Sequence, residues 1–397
     1  IGAGALQANT TASQNTAVGR CALNANTTGV DNVAVGRKAL DANTTADNNT
    51  AVGNAALLSN TTGYSNVAVG KDAMLTNIGG HSNSAFGAAA LEDNVSGNTN
   101  TAIGNTALRC NTTGSNHVAV GCGALNRNTT GGDNSAVGTQ SLFSNTTGFR
   151  NTAMGFGAMF NSTTSSNNTA VGYAASSAIT TGACNIAIGA NSLDANSTGS
   201  SNTAVGAGAL TTNTTASQNT AVGLNAMNKN TTGASNVGLG VLALACNTTA
   251  SENTAVGEKA LWKNTTGGCN TASGFQALST ATTGGGNASH GWRSLYLSTT
   301  GFDNTAVGFQ SGYNITTGNS NTAIGFRNSC NLTTGNNNIA LGNNAGADAV
   351  RNLTGSCANN IVIGNDANTN AYIKIDWTVT SDLRDKTEIK NVTHGLD

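Results

Sequence analysis

Apolar positions recur along the chain as a three-residue cluster ending on a glycine, with β-branched residues flanking an alanine: Val33-Ala34-Val35, Val67-Ala68-Val69 and Ile186-Ala187-Ile188. A two-residue period of this kind predicts a short β-strand with its β-branched side chains on one face. The glycine then predicts a corner. Three residues after it comes a small residue (Ala5, Ala22, Ala39, Ala56), followed by Leu or Met (Leu6, Leu23, Leu40, Met74, Leu108, Leu261). A polar T-T-G segment, with Gly29, Gly63, Gly114 or Gly148, predicts a second corner.

The spacing of these signals is constant. From Gly2 through Gly19, Gly36, Gly53, Gly70 and Gly87 to Gly342, every seventeenth residue is glycine, 21 in register. The unit reads N-T-A-V-G-x-x-A-L-x-x-N-T-T-G-x-x and is almost intact from Asn15 to Asp31 and from Asn253 to Cys269. After Gly342 the next equivalent glycine is Gly364, so five residues are inserted between about Asp348 and Ser356 before a last N-N-I-V-I-G copy. A unit this short cannot bury a core alone, and without insertions it predicts stacked rungs. Helical repeats do not fit, because seventeen residues cannot hold a helix pair and Gly, Asn and Thr are poor helix formers. The expected fold is all-β: a parallel β-solenoid, of the β-helix or β-roll kind, over residues 1–342. An irregular last rung and a terminal strand from Tyr372 to Val379 follow within 343–380, and a separate segment covers 381–397.

The columns of this alignment carry further expectations. The central strand position is Ala almost throughout, with Gly238, Ser289 and Val362 as departures, which implies another backbone close by, either the opposite wall or a neighbouring chain. The Leu column supplies most of the buried apolar area, roughly 1.5 to 3 kcal/mol per side chain. It fades after Leu295, where Gly312, Ser329 and Gly346 replace it, and predicts thinner packing beyond about residue 300. The Asn four before each corner glycine (Asn15, Asn32, Asn49, Asn66, Asn83, Asn100) is present in 19 of 20 copies from Asn15 to Asn338, the exception being His117. Stacked at one phase, it predicts an amide ladder. A second Asn, seven after the glycine, opens N-T-T or similar sequons at Asn9, Asn26, Asn43, Asn60, Asn94, Asn111, Asn128, Asn145, Asn196, Asn213, Asn230, Asn247 and Asn264. These are candidate glycosylation sites that would form a ridge along one edge, or else simply favourable turn chemistry.

Composition narrows the function classes. With 51 Gly, no Pro, 9% charged residues and 38% hydrophobic residues, the chain fits neither collagen nor a charge-expanded disordered tail. Seventeen Lys and Arg against 18 Asp and Glu, without a basic stripe, argue against nucleic acid, and no 18-residue apolar run points to a membrane span. Proline is absent because neighbouring rungs claim nearly every backbone N–H, and charge is scarce because stacking sets like charges one strand apart. The eight cysteines do not predict disulfides, since Cys110 and Cys246 share a phase eight rungs apart and Cys184 and Cys269 one five rungs apart; Cys21, Cys122 and Cys330 read as small fillers. Nothing has zinc or calcium spacing, and no cofactor is expected. Carboxylates are scattered: Asp31, Asp133, Glu252 and Asp303 share a phase several rungs apart, and the adjacent pair Glu92-Asp93 reads as a solvated corner. An ice-binding face is a lesser alternative, because the Thr column (Thr28, Thr45, Thr62, Thr130) falls in a corner and not in a T-x-T strand.

The N-T-A-V-G motif resembles the N-S-V-A-I-G repeats of trimeric autotransporter adhesin heads, which are left-handed parallel β-rolls in homotrimers. The longer N-T-A-V-G-x-x-A-L array is similar to repeat-bearing tail fibres of phages and large viruses that precede a C-terminal intramolecular chaperone of the endosialidase type. Ser381-Asp382-Leu383-Arg384-Asp385-Lys386-Thr387-Glu388-Ile389, then His394-Gly395-Leu396-Asp397, resembles the S-D-x-R-x-K-x-x-I opening of that chaperone. The resemblance implies self-cleavage before Ser381, with Ser381 as nucleophile and Lys386 as base. It also implies the shaft of an extracellular or virion-associated homotrimeric fibre that associates with itself, end to end as well, and presents a tip for attachment. One strand spacing per unit gives a rod of about 100 Å, and three interwoven chains give nearly three times that. The alternative is an adhesin whose flank binds host glycans or a receptor through variable residues such as Tyr64, Phe149 and Trp262. A chain starting one residue before a repeat glycine reads as a piece of a longer protein.

Overall fold

The computed structural model describes residues 1–348 and 352–369. It is a parallel β-solenoid of 21 three-residue strands, from β1 (Thr16–Val18) and β2 (Val33–Val35) to β20 (Ile339–Leu341) and β21 (Ile361–Ile363), with no helix among the described residues. Each strand pairs in parallel with the next at an offset of seventeen, as Thr16↔Val33, Ala17↔Ala34 and Val18↔Val35. The last pair, Ile339↔Ile361, is offset by twenty-two, so the insertion is absorbed outside the strand. Every rung neighbour belongs to the same chain and the rise is one strand spacing, which gives about 100 Å over 20 steps.

The other sides of each rung are also hydrogen-bonded to their neighbours, in alternating directions. Cys21 N–H donates to Ala3 O of the preceding rung at 2.9 Å, while Leu23 N–H donates to Ala39 O of the next at 2.9 Å and Ala25 N–H to Asp41 O at 3.0 Å. This alternation requires positive φ at non-glycine residues, for example 57° at Cys21 and 51° at Leu23. A left-handed residue costs about 1 to 2 kcal/mol. Leu23 holds this conformation because its N–H is bonded across rungs and its side chain is fully buried.

The corner glycine has no substitute. At Gly138 φ is 130°, and a Cβ would lie 2.6 Å from Gly155 O of the next rung. The T-T-G glycine is less constrained: at Gly80 φ is ordinary, and although a Cβ would approach Gly97 O to 2.5 Å, the same column holds Ala46, Ser165, Ala216 and Ala250. The turn shifts to admit a methyl there, and at the first corner none of 21 copies does so.

The core lies between the strand Ala column and the Ala-Leu pair, all fully buried in the central rungs. Where Gly238 interrupts the strand Ala, a Cβ would meet Met227 Cγ at 3.0 Å, so the close neighbour of that column is the opposite wall of the same solenoid. The expected thinning beyond residue 300 does not occur. A Cβ on Gly312 would touch Ile315 Cδ1 at 3.1 Å, and Ile315 is fully buried. Leu332 likewise stands across from Ser329, Leu353 from Gly346, and Ile179 from Ser176. In each pair the apolar side chain enters from the second corner and fills the volume that Leu gives up. Reading the Leu column alone misses this exchange between columns.

Two outcomes follow for stability. Gly138→Ala is expected to abolish amide protection in its own and the next rung by hydrogen exchange, whereas Gly80→Ala leaves most of it. Gly312→Leu alone overpacks the core by about 1 to 3 kcal/mol, and adding Ile315→Asn, which restores the common unit, recovers most of that loss in a double-mutant cycle read by denaturant midpoint.

Candidate functional site

The chemically distinctive interior feature is a pair of asparagine ladders. In the first, Asn32 Nδ2 donates to Ala46 O at 2.9 Å, and its Oδ1 accepts the backbone N–H of Asn49 at 3.0 Å. Asn15, Asn49, Asn66, Asn83 and Asn100 repeat the pattern on Gly29, Gly63, Gly80, Gly97 and Gly114. The second ladder comes from the sequon column. Asn43 Nδ2 donates to Asn26 Oδ1 and to Ala46 O, both at 3.0 Å, and Asn60, Asn77, Asn94, Asn111, Asn128 and Asn145 continue the chain of amides. Both ladders meet on one atom, since Gly29 O accepts from Asn15 and Asn26, and Ala46 O from Asn32 and Asn43. Where both columns hold Asn, as at Ala46 and Gly63, the second corner is thus clamped by two buried amides, and a carbonyl so buried is costly to leave unpaired, about 1 to 3 kcal/mol; at Gly182, Gly318 and Gly335 the first ladder alone reaches it. The second ladder stops where Ser162 and Ala281 replace Asn, and the Oδ1 atoms below, on Asn145 and Asn264, are buried without a partner.

The sequon reading therefore needs correction. Asn26, Asn43, Asn60, Asn111, Asn128, Asn145, Asn213, Asn230, Asn247 and Asn264 are fully buried, and those from Asn26 to Asn145 use both amide hydrogens inside the rungs. A glycan on Nδ2 does not fit this packing. Sequence reasoning missed the second ladder because N-T-T is also favourable surface turn chemistry. The signal that exposes it is the apolar replacement in the same column at Ile179, Ile315 and Leu332.

His117 substitutes for Asn within the first ladder. Its Nδ1 accepts the N–H of Asn134 at 3.2 Å, as an Asn Oδ1 does, and its Nε2 side faces the Gly131 carbonyl and Asn128 Nδ2 at 3.1 Å. Burial pushes its pKa down to about 4, against weaker opposing contributions from the Gly131 and Asn134 backbone and the charge of Asp133. The ring is neutral at pH 7, which the acceptor role of Nδ1 requires.

Among the described residues the remaining polar side chains form no catalytic constellation. Asp31, Asp133, Glu252 and Asp303 stand six, seven and three rungs apart. Glu92 is engaged by Arg109 of the next rung, Nε to Oε2 2.6 Å, and burial followed by the charge of Glu92 raises the Asp93 carboxyl. All eight cysteines are free, and no group of three metal-ligating side chains occurs among the described residues. Ser381, Lys386 and the Tyr372–Val379 strand lie outside the described residues.

The outer surface is more distinctive. Thr28, Thr45, Thr62 and Thr130 form an exposed rank along the second corner. Tyr64 and Phe149 share a column five rungs apart, and Trp262 stands in another, so these three aromatics are not brought together. Sequence reasoning did not single out Phe275, Trp292, Phe309 and Phe326, which stack on consecutive rungs with centroids 6.1, 4.7 and 5.2 Å apart and with Arg293 at 4.4 Å over Trp292. Beside them, the first and third residues of every strand point outward, as at Thr16 and Val18. Comparison with known proteins finds no matching family model, no matching curated protein and no matching solved structure.

The His117 geometry sets a pH dependence. The unfolded ring takes up its proton near pH 6.5 and the folded one only near 4, so stability is full above about 6.5 and falls as pH drops towards 4. The total is roughly 3 kcal/mol. His117→Asn is expected to remove this acid limb, read as the difference in denaturant midpoint between pH 7.5 and pH 4.5 for the two proteins.

Proposed function

We propose that the chain is the shaft of a fibre, a rod that holds a tip away from its base. The observation that carries this reading is the unbroken seventeen-residue translation. A catalytic or binding centre needs rungs that differ from their neighbours in a concerted way, whereas every strand up to β20 repeats at one offset. The core, the corners and both Asn ladders serve only the next rung. We read the shaft as extracellular or virion-associated and as homotrimeric, in keeping with its resemblance to the repeat arrays of phage and large-virus tail fibres and of trimeric autotransporter heads. Trimerisation protects the flanks.

A second reading, lateral glycan binding, rests on the aromatic run from Phe275 to Phe326, half-buried at Phe275 and Trp292 and exposed at Phe309 and Phe326. It is weaker because consecutive rings stack nearly parallel, at 5 to 15°, so their faces cover one another and only edges point outward. An ice-binding role has only the Thr rank in its favour.

A shaft tolerates a change in length by whole units and not by fractions. Deleting residues 134–201, four units, is expected to give a folded rod shorter by about 19 Å in electron micrographs. Deleting residues 134–193 breaks the register and is expected to lose protease resistance. Equal folding of both deletions, or loss of the rod after the in-register one, contradicts the reading.

A further inference from the structure

The two outward columns of the strands differ in a way that strand chemistry does not explain. In the first column, beginning Thr16, 11 of 21 residues are Thr and two are Ser. In the third column, beginning Val18, none is Thr and 19 of 21 are Val, Ile, Leu, Met or Phe. Thr forms strands about as readily as Val, and both columns stand on the same strand facing away from the core. The third column is nevertheless exposed to 43% at Val18, 45% at Met154 and 41% at Ile324, and half-buried at others such as Val137, Val171 and Val205. Neither column contains a Lys, Arg, Asp or Glu, although the chain has 35 of them, 17 plus 18. The column just past the corner glycine carries four of them, Arg20, Arg37, Lys71 and Glu258, and is otherwise apolar from Phe156 to Phe326, with Tyr173 and Leu224 exposed. A continuous exposed apolar strip of this length marks an interaction surface.

The third column is polar only at Ser273 and His290, and in those same rungs Phe275 and Trp292 stand just past the corner glycine, the start of the aromatic run. At those two rungs, as at Phe156, Tyr173, Phe309 and Phe326, the position next to the strip is aromatic.

We propose that this strip, from Val18 to Ile324, is the surface along which copies of this chain pack side by side, parallel and in axial register; the proposal rests on the shaft reading above. The strip is one side chain wide and about 100 Å long, so only a partner with the same rung height can meet it along its whole length. A second copy has that height by construction. A contact about 8 Å wide over that length buries on the order of 800 Å² per partner, the size of a stable specific interface. A narrow strip also suits three copies converging on a common axis, each meeting the other two.

The test compares two triple variants of the full chain by light-scattering mass and circular dichroism. Val137→Lys, Val171→Lys and Val205→Lys charge the strip; Thr130→Lys, Thr164→Lys and Thr198→Lys put the same charge on the exposed Thr rank. The wild type is expected to be oligomeric, the strip variant a β-structured monomer, and the Thr-rank variant oligomeric. If the strip variant does not fold, Val→Thr at the same three positions keeps strand chemistry and is expected to weaken association at least tenfold. An oligomer that survives the charged or the Thr strip variant, or a wild type that is monomeric at tens of micromolar, overturns the proposal. A monomeric wild type that is still a full-length rod refutes this surface and the homotrimeric part of the shaft reading, whereas the rod itself stands or falls on the deletion pair.

Discussion

At every corner glycine from Gly2 to Gly325 the carbonyl of the next rung occupies the space where a methyl group would have to be, and the rest of the molecule follows from that contact. With Gly138 at φ 130° and Gly155 O 2.6 Å from any added Cβ, the rungs sit as close as two backbones can. Closeness at one corner fixes the rung height, and a fixed height makes every other column a stack with one repeat. An insertion is tolerated only at a loop beyond the strand, as between β20 and β21, where pairing resumes after twenty-two residues.

A rung of seventeen residues has little apolar volume, so polar groups carry an unusual share of its order. Where both columns hold Asn, two amides converge on the second-corner carbonyl, and the ladders leave unpaired oxygens where the column changes residue, at Asn145 and Asn264. Left-handed residues such as Leu23 and Met74 are held by the same closeness, because each hydrogen-bonds to an adjacent rung while its side chain fills the core. Small apolar side chains thus point inward from the strand and larger ones outward, the reverse of an ordinary half-buried strand. That inversion leaves an apolar strip on the outside.

The period, the strand positions and the first corner were legible in the sequence because they rest on a residue type that sterics make obligatory. What was not legible depends on which way a side chain points or on exchange between columns. Asn26 and its equivalents look like surface sequons from local sequence and prove to be interior. The loss of Leu at Gly312 reads as a cavity until Ile315 is seen to fill it from the other corner. The alternation of Thr16, Ala17 and Val18 separates two faces without saying that the alanine face is the inner one; only the width of the rung decides that.

The central claim is that each seventeen-residue unit stacks directly on the next unit of its own chain. The rise per unit in a reconstruction of the isolated rod by electron cryomicroscopy tests it most directly. The account predicts about 4.8 Å per unit, one strand spacing. A rise of roughly 14 Å, three spacings, would mean that strands of other chains lie between consecutive units and would contradict it.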